Sequence, residues 1–190
     1  RNGALIVDEI YHGLTYGLDA ATALDAGDQV FVINSFSKYF GMTGWRLGWL
    51  VVPEDYVRPV EKLAQNLFIA PPTPAQYGAL AAFTPDAMAV LEARRGEFKA
   101  RRDVLLPGLE RIGFRISRMP EGAFYIYADS SALAADSFAL AHRLIEEAGV
   151  AATPGLDFGT YQPERHMRFA YTIAREQLEE GLARMAKLLR

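Results

Sequence analysis

The chain has 190 residues, 51% of them hydrophobic, which is enough to bury the core of one or two small domains. Its net charge of -3 at pH 7 gives no basic field, so neither nucleic acid nor a membrane surface is expected as a partner. The absence of cysteine excludes disulfides and thiolate metal sites, and no apolar run approaches the roughly 18 residues of a membrane span. A cytoplasmic location is the expectation.

Three short apolar runs in the first part of the chain predict strands, at residues 4–7, 30–34 and 47–52. Because successive residues in the first two runs are apolar, we expect these two strands to be buried on both faces of the sheet. Three strands form a thin sheet for such burial, and the chain does not begin with Met. We therefore expect the chain to be the C-terminal part of a longer protein.

Helical spacing dominates the next part of the chain. Apolar residues between positions 56 and 68 predict a helix that starts late or is kinked, because Pro59 lies inside it. Thr73 is placed to cap a short helix at residues 75–83. The longest helix is predicted from Pro85 to residue 112, with its basic residues on a solvated face. Those basic residues are Arg94, Arg95, Lys99, Arg101 and Arg102.

Short strands and helices alternate after Gly113. Strands are predicted at residues 114–117, 124–127, 150–153 and 166–171, and helices at residues 137–148 and at the C-terminus. This order of elements is typical of a small α+β domain. We predict that residues 1–84 complete a larger domain and that residues 85–190 form the smaller one.

The stretch from Ser35 to Gly48 carries the residues that are best suited to chemistry. It follows the apolar run 30–33, so it emerges at the end of a buried strand, where α/β proteins place their ligands. The amine of Lys38 can form a Schiff base with a carbonyl compound. Arg46 is planar and always charged, which suits a phosphate dianion. The two side chains predict a site for an aldehyde cofactor that carries a phosphate.

The same stretch resembles the lysine signature of the fold-type I, pyridoxal-phosphate-dependent aminotransferases of classes I and II. Residues 5–11, Leu-Ile-Val-Asp-Glu-Ile-Tyr, are similar to a second signature of that family, a buried strand that ends in Asp-Glu-x-Tyr. The resemblance covers essentially the whole chain but only about the second half of a family member. It implies an α/β fold, with part of a mainly parallel-sheet large domain and a small C-terminal α+β domain.

The resemblance also implies roles around the cofactor, pyridoxal 5'-phosphate. Lys38 would form the Schiff base and then carry the catalytic proton. Asp8 would keep the pyridine nitrogen protonated, so that the ring can accept electrons from the substrate. Tyr11 would donate a hydrogen bond to the 3-oxygen of the ring.

The phosphate of the cofactor is expected to bind near the start and end of the lysine signature. Ser35 and Arg46 would bind the phosphate, and Ser37 is included with the cofactor-binding residues although the family requires only a small residue there. The three histidines of the chain share no metal-ligand spacing, so no metal is expected.

The substrate is expected to meet a strand near the C-terminus. Residues 166–171 resemble the family's late strand, whose arginine binds the α-carboxylate of the substrate, and this assigns Arg168 to that role. Arg165 is a competing candidate, less favoured because it lies in a polar run. Residues 69–76 contain no Lys or Arg, so they offer no clamp for a second carboxylate, which favours neutral or aromatic substrates.

We therefore expect an aminotransferase that moves an amino group between an amino acid and a 2-oxo acid, and that is a homodimer at full length. The 190-residue chain alone is expected to be inactive. Two alternatives remain open. One is another reaction on the same site, by a β-lyase or racemase, because cofactor and fold do not determine which bond breaks. The other is an aminotransferase-like sensor domain of a transcription regulator.

Overall fold

The computed structural model describes residues 3–189, which form two compact units with a three-stranded sheet in each. The first unit ends at Arg95 and the second begins at Gly96. This division falls inside the longest helix, whereas the predicted domain boundary at residues 84 and 85 lies at the start of that helix. The assignment of residues 1–84 and 85–190 to two domains stays a prediction.

The sheet of the first unit has the order β1-β2-β3. Its strands are β1 (Leu5–Asp8), β2 (Val30–Ser35) and β3 (Gly48–Val51). β1 and β2 are parallel, whereas β3 runs antiparallel to β2. The first residue of β3, Gly48, pairs with the last residue of β2, Ser35. The segment that joins β2 to β3 therefore leaves and re-enters the sheet at the same edge.

Burial in this sheet differs from the prediction. Val30 and Val32 are buried, as expected for alternate residues that face the core. Leu5, Ile6 and Ile33 are exposed, so the strands are not covered on both faces by the described residues. The expectation of full burial was wrong for this chain.

Two helices follow the sheet of the first unit. Helix α1 (Glu54–Leu67) begins five residues before Pro59, so the late start was wrong, and the alternative, a kink at Pro59, stays a prediction. Helix α2 (Thr73–Ala81) contains Thr73 rather than starting after it, and Pro72 holds the capping position. The predicted cap by the Thr73 side chain was therefore wrong.

Helix α3 (Pro85–Ile112) has the predicted bounds. Its apolar stripe includes buried residues at Leu91, Leu105 and Leu109. Arg102 is only 5% exposed and donates a hydrogen bond to the carbonyl of Pro120 at 2.6 Å. The interpretation of the basic residues as a solvated face was therefore wrong for Arg102.

The second unit contains an antiparallel sheet with the order β4-β6-β5. Its strands are β4 (Tyr125–Asp129), β5 (Thr153–Pro154) and β6 (His166–Ala170). The strand predicted at residues 114–117 was wrong, because it is reduced to a single bridge between Arg115 and Asp129.

Helices α4 (Ser137–Ala148) and α5 (Arg175–Leu189) complete the second unit. Asp136 caps α4 by accepting a hydrogen bond from the backbone N–H of Phe138 at 2.9 Å. Both helices bury apolar residues in the core of the unit, including Leu140, Leu144, Leu178 and Met185. Across residues 3–189, none of the helices is both long enough and apolar enough for a membrane span.

Candidate active site

Lys38 lies in a tight turn just after β2. The carbonyl of Lys38 accepts a hydrogen bond from Gly41 N at 3.0 Å, and the carbonyl of Phe36 accepts one from Met42 N at 2.9 Å. Phe36 and Met42 are buried in a small apolar cluster, which fixes both sides of the turn. The sequence places a half-buried lysine on a rigid turn at one edge of the sheet.

Tyr11 and Lys38 are brought together by the parallel pairing of β1 and β2. The ammonium Nζ of Lys38 lies 5.8 Å from the centre of the Tyr11 ring. Asp8 ends β1 opposite Ile33, and its Oδ1 accepts a hydrogen bond from Ile10 N at 3.0 Å. The carboxylate of Asp8 is exposed, so the edge that carries Lys38 also carries an anion.

The serine hydroxyls that precede the lysine form a pair. Ser35 Oγ lies 3.0 Å from Ser37 Oγ and accepts a hydrogen bond from Ser37 N, also at 3.0 Å. Ser35 Oγ also donates to the carbonyl of Leu47 at 3.1 Å, which ties the start of the turn to its end. Gly48 is required beside this pair, because a Cβ there would lie 2.7 Å from the carbonyl oxygen of Asn34.

Arg46 has the left-handed backbone conformation, with φ 55° and ψ 51°. This conformation costs a non-glycine residue about 1 kcal/mol or more, and such strain is concentrated at functional sites. Its guanidinium is exposed, donates to the carbonyl of Thr43 at 2.9 Å, and forms no ion pair with any carboxylate in the described part of the chain. Arg46 and Thr43 line a cleft of ≈ 420 Å³.

These residues fit a phosphorylated aldehyde. An arginine without a carboxylate partner and two neighbouring hydroxyls match a phosphate, and a lysine amine matches the aldehyde. The structure brings Lys38 to Tyr11 and Ser35 to Ser37, whereas the hydrogen bond of Arg46 is to Thr43 rather than to either serine. The proposed cofactor roles of these residues stay predictions.

Arg168 lies on β6 in the second unit and is surrounded by aromatic rings. Its guanidinium carbon is 4.3 Å from the centre of the Phe158 ring and 5.4 Å from that of Tyr125. Its Nε is buried and has no hydrogen-bond partner among residues 3–189. These groups line a pocket of ≈ 500 Å³, to which Tyr127 and His166 also contribute. The pocket therefore contains, beside two aromatic rings, an arginine that forms no ion pair with a carboxylate among residues 3–189.

Arg165 differs from Arg168 because it already has a carboxylate partner. Its Nη2 lies 3.2 Å from Asp129 Oδ2. Burial alone would raise the pKa of Asp129, but hydrogen bonds from Ser131 and the charges of Arg115 and Arg165 hold that pKa below its usual value. Arg165 belongs to a structural ion-pair network, whereas Arg168 is available to an anionic ligand.

Glu9 is a buried carboxylate that sequence reasoning did not single out. It is 6% exposed, and its Oε1 accepts hydrogen bonds from Ala23 N at 2.6 Å and from Thr22 Oγ1 at 3.1 Å. Its Oε2 lies 3.2 Å from His12 Nδ1. The alternation of side chains along extended backbone was the available signal, since Asp8 and Glu9 must point to opposite faces.

Metal binding finds no support in the described residues. Among residues 3–189, no group of three or more histidine, aspartate or glutamate side chains is arranged to hold a metal ion.

The sheet edge that carries Lys38 brings together several groups that suit chemistry. They are the amine of Lys38, the carboxylate of Asp8, the hydroxyls of Ser35 and Ser37, and the guanidinium of Arg46.

Comparison with known proteins shows what the chain is similar to. The family model described as "Aminotransferase class I and II" matches residues 1–185. A valine--pyruvate aminotransferase of Mycobacterium tuberculosis is 41% identical over 97% of this chain and 48% of the relative. An aspartate/prephenate aminotransferase of Thermus thermophilus is 36% identical, with 97% of this chain and 48% of the relative covered.

Solved structures agree with this similarity. A crystal structure of an aminotransferase from Mycobacterium tuberculosis superposes with a TM-score of 0.94 at 41% identity, covering 98% of this chain and 49% of that one. The chain thus spans about half the length of the curated relatives that it matches. The predicted α/β fold, as part of a fold-type I enzyme, is confirmed. Members of the matching family use pyridoxal 5'-phosphate, and this chain belongs to the class I and II aminotransferases.

Proposed function

We propose that the protein to which this chain belongs is a pyridoxal-phosphate-dependent aminotransferase, which moves an amino group between an amino acid and a 2-oxo acid. The observation that carries the proposal is the position of Lys38 on a rigid turn, with its ammonium 5.8 Å from the Tyr11 ring. Asp8 and the Ser35 and Ser37 hydroxyls lie at the same edge of the sheet.

Three residues act on the reacting end of the site. When bound, pyridoxal phosphate supplies an aldehyde that condenses with amines and a ring that withdraws electrons. Lys38 would hold the cofactor through its amine, and the freed amine would take the proton from the α-carbon of the amino acid. Asp8 would keep the ring nitrogen protonated, and Tyr11 would donate a hydrogen bond to the 3-oxygen of the ring.

The other end of the site holds the phosphate. Ser35 and Ser37 would donate hydrogen bonds to phosphate oxygens, and Ser35 would then give up its hydrogen bond to the carbonyl of Leu47. Arg46 supplies a charge that no carboxylate in residues 3–189 neutralises. Charge-assisted hydrogen bonds of this kind are about twice as strong as neutral ones, so Arg46 makes the larger contribution.

Arg168 binds the α-carboxylate of the substrate. Its planar guanidinium can donate two parallel hydrogen bonds to a carboxylate, and its Nε has no other acceptor in the described structure. The rings of Phe158 and Tyr125 contact the guanidinium, which limits its motion before the substrate arrives. Arg165 is not proposed for this role, because Asp129 already neutralises it.

The pocket around Arg168 favours substrates with neutral or aromatic side chains. Its walls include Tyr125, Tyr127, Phe158 and Tyr161. Residues 69–76 contain no lysine or arginine that could bind a second carboxylate. The 41% identity to a protein named valine--pyruvate aminotransferase also supports a neutral amino donor.

Amino-group transfer is proposed in preference to elimination or racemisation because the relatives compared above are named as aminotransferases. A homodimer at full length and a location in the cytoplasm are part of the same proposal. Both are expected from the family resemblance and the composition of the chain.

The test is an amino-donor screen of the full-length protein. Purified protein is incubated with pyridoxal phosphate, a set of 2-oxo acids and donors that include valine, phenylalanine, aspartate and lysine. Formation of a new amino acid from the 2-oxo acid, fastest with valine or phenylalanine, supports the proposal. Release of ammonia, change of donor chirality, or no turnover with any donor would favour the alternatives over transfer.

A further inference from the structure

The residue after Lys38 is held in place from two sides. Tyr39 is 8% exposed, and its ring packs against the backbone of Gly13. Gly13 has a φ of +84°, and a Cβ there would lie 2.8 Å from Tyr39 Cγ. The ring therefore occupies the space that the missing side chain leaves, and any larger residue at position 13 would displace it.

The hydroxyl of Tyr39 reaches helix α3. It donates a hydrogen bond to Glu92 Oε1, and Glu92 Oε2 in turn forms an ion pair with Arg95. Arg95 Nη1 donates to the carbonyl of Thr15 at 3.5 Å. The chain of contacts therefore returns to the loop that contains Gly13, and it closes around the Tyr39 ring.

The phenol remains protonated at every physiological pH. Burial, followed by the hydrogen bond to Glu92 and the charge of Glu92, raises the pKa of Tyr39 to about 12. The Tyr39 hydroxyl therefore stays protonated and can donate the hydrogen bond to Glu92. None of the catalytic steps proposed above uses Tyr39 or Glu92, so these contacts need a separate explanation.

We infer that Tyr39 and Glu92 are positioning residues for Lys38, an inference that rests on the proposed role of Lys38. Lys38 and Tyr39 share a peptide bond, so a displacement of the Tyr39 side chain rotates the backbone that aims the Lys38 amine. Phe36 and Met42 anchor the two ends of the turn, whereas Tyr39 anchors its middle. The clamp formed by Tyr39 and Glu92 keeps the amine near Tyr11 while bonds to it form and break.

Three variants of the full-length protein separate the parts of this clamp. Tyr39→Phe removes the hydroxyl and keeps the ring against Gly13. Glu92→Ala removes the acceptor, and Glu92→Gln keeps an oxygen that accepts the phenol proton. Tyr56→Phe is the matched control, because Tyr56 is 43% exposed and packs its ring on Phe31, away from the turn.

Two readouts are compared for each variant. The first is the rate at which acetic anhydride labels Lys38 in the cofactor-free protein, measured by mass spectrometry relative to Lys62 and Lys99. We expect Tyr39→Phe and Glu92→Ala to raise this ratio about threefold, because a looser turn exposes the amine. The second is turnover, where we expect kcat to fall about tenfold with little change in KM, since misplaced catalytic groups lose rate steeply.

The clamp would be supported if Glu92→Gln kept most of the wild-type labelling ratio and kcat. It would also be supported if the double variant Tyr39→Phe, Glu92→Ala lost no more kcat than the single variants. An unchanged Lys38 labelling ratio in both single variants, or the same change in Tyr56→Phe, would overturn it. If Tyr39→Phe fails to fold, the two Glu92 variants decide the question, because the Glu92 side chain is exposed. The labelling ratio does not depend on turnover, so it tests the clamp even if the protein proves to have another activity.

Discussion

Arg165 Nη2 lies 3.2 Å from Asp129 Oδ2, so one of the two arginines at the start of β6 is neutralised before any substrate binds. Arg168, three residues later, packs against aromatic rings and forms no ion pair with a described carboxylate, although both arginines keep a buried Nε without a partner among residues 3–189. The two arginines therefore differ in whether a carboxylate partner is present. We expect removal of Arg168 to lower activity and removal of Arg165 to lower stability.

Arg168→Ala should reduce kcat/KM for amino acids by about tenfold to a hundredfold or more. A charge-assisted contact to a carboxylate contributes about 1.5–3 kcal/mol, and this contact would be lost in the transition state as well. Retention of the cofactor should change little, because Arg168 lies in the second unit and is not among the proposed cofactor ligands. Steady-state kinetics and the visible spectrum of the bound cofactor measure the two quantities.

Arg165→Ala is the matched control for this prediction. It should leave kcat/KM within a few-fold and lower stability instead, because Asp129 loses a partner at a site where burial is already unfavourable for its charge. The assignment of Arg168 would be rejected if Arg165→Ala lost activity in the predicted way and Arg168→Ala did not.

Lys38 should be the residue that borohydride fixes covalently to the cofactor in the full-length protein. The turn holds its backbone through Gly41, and the side chain is half-buried beside Tyr11. Peptide mapping after reduction should find the pyridoxyl group on the peptide that contains Lys38. A label on Lys62 or Lys99 instead, with Lys38 unmodified, would contradict both the proposed function and this site.

Much of the fold follows from periodicity in the sequence. Helix α3 was predicted with its observed start at Pro85 and end at Ile112, because apolar residues at helical spacing and an initial proline are strong local signals. The strand at residues 114–117 was predicted wrongly, since a short alternating run does not show whether a partner strand lies beside it. A local sequence pattern thus identifies a long helix better than it identifies which strands pair in a sheet.

The site was predictable to the extent that it consists of contiguous motifs. Lys38, Ser35 and Arg46 lie within fourteen residues of one another, so the motif names them together. The hydrogen bond from Tyr39 to Glu92 has no such signal, because it depends on which distant segment packs against the motif. For Glu9, side-chain alternation indicates only that it faces away from Asp8, and its partners Thr22 and Ala23 are not indicated. Contacts across many residues of chain were visible only in the folded structure.

Glu9→Gln should lower the free energy of unfolding by about 1.5–3 kcal/mol. The buried carboxylate of Glu9 accepts hydrogen bonds from Ala23 N and Thr22 Oγ1, and a glutamine amide in its place weakens the charge-assisted bonds. Urea denaturation of the full-length protein measures the change. Glu61→Gln is the control, because its pair with Arg58 is exposed and should be worth less than about 1 kcal/mol.

The pH dependence of Tyr39 can be observed directly. Because its folded pKa of about 12 lies above the ordinary tyrosine value of 10.0, its contribution to stability is fully present below pH 10 and is lost as the pH rises toward 12. A titration of tyrosine absorbance should therefore show a late component that is smaller in Tyr39→Phe, and that does not vanish because burial also raises the pKa of Tyr127. A difference between the two curves that is centred near the ordinary value of 10.0 would contradict the raised pKa of Tyr39.

Residues 1–190 alone should show no useful transaminase turnover and should bind pyridoxal phosphate weakly. The chain covers 48% of its curated relatives, and the other half of the family's structure contributes a helix N-terminus and a stacking ring to the cofactor, as the resemblance implies. Loss of such contacts costs several kcal/mol of binding in general. We also expect self-association, because Ile6, Leu67 and Ile69 are 67%, 77% and 82% exposed.

The fragment and the full-length protein are compared at equal concentration by visible absorbance with added cofactor, by turnover and by sedimentation velocity. Leu67→Glu in the fragment should reduce the associated fraction, because a charge on an apolar surface opposes burial against a second copy, and it should not restore cofactor binding. Tight cofactor binding and turnover by the fragment at the level of the full-length protein would show that residues 1–190 hold a complete site. A monomeric fragment would show that its exposed apolar residues do not drive association.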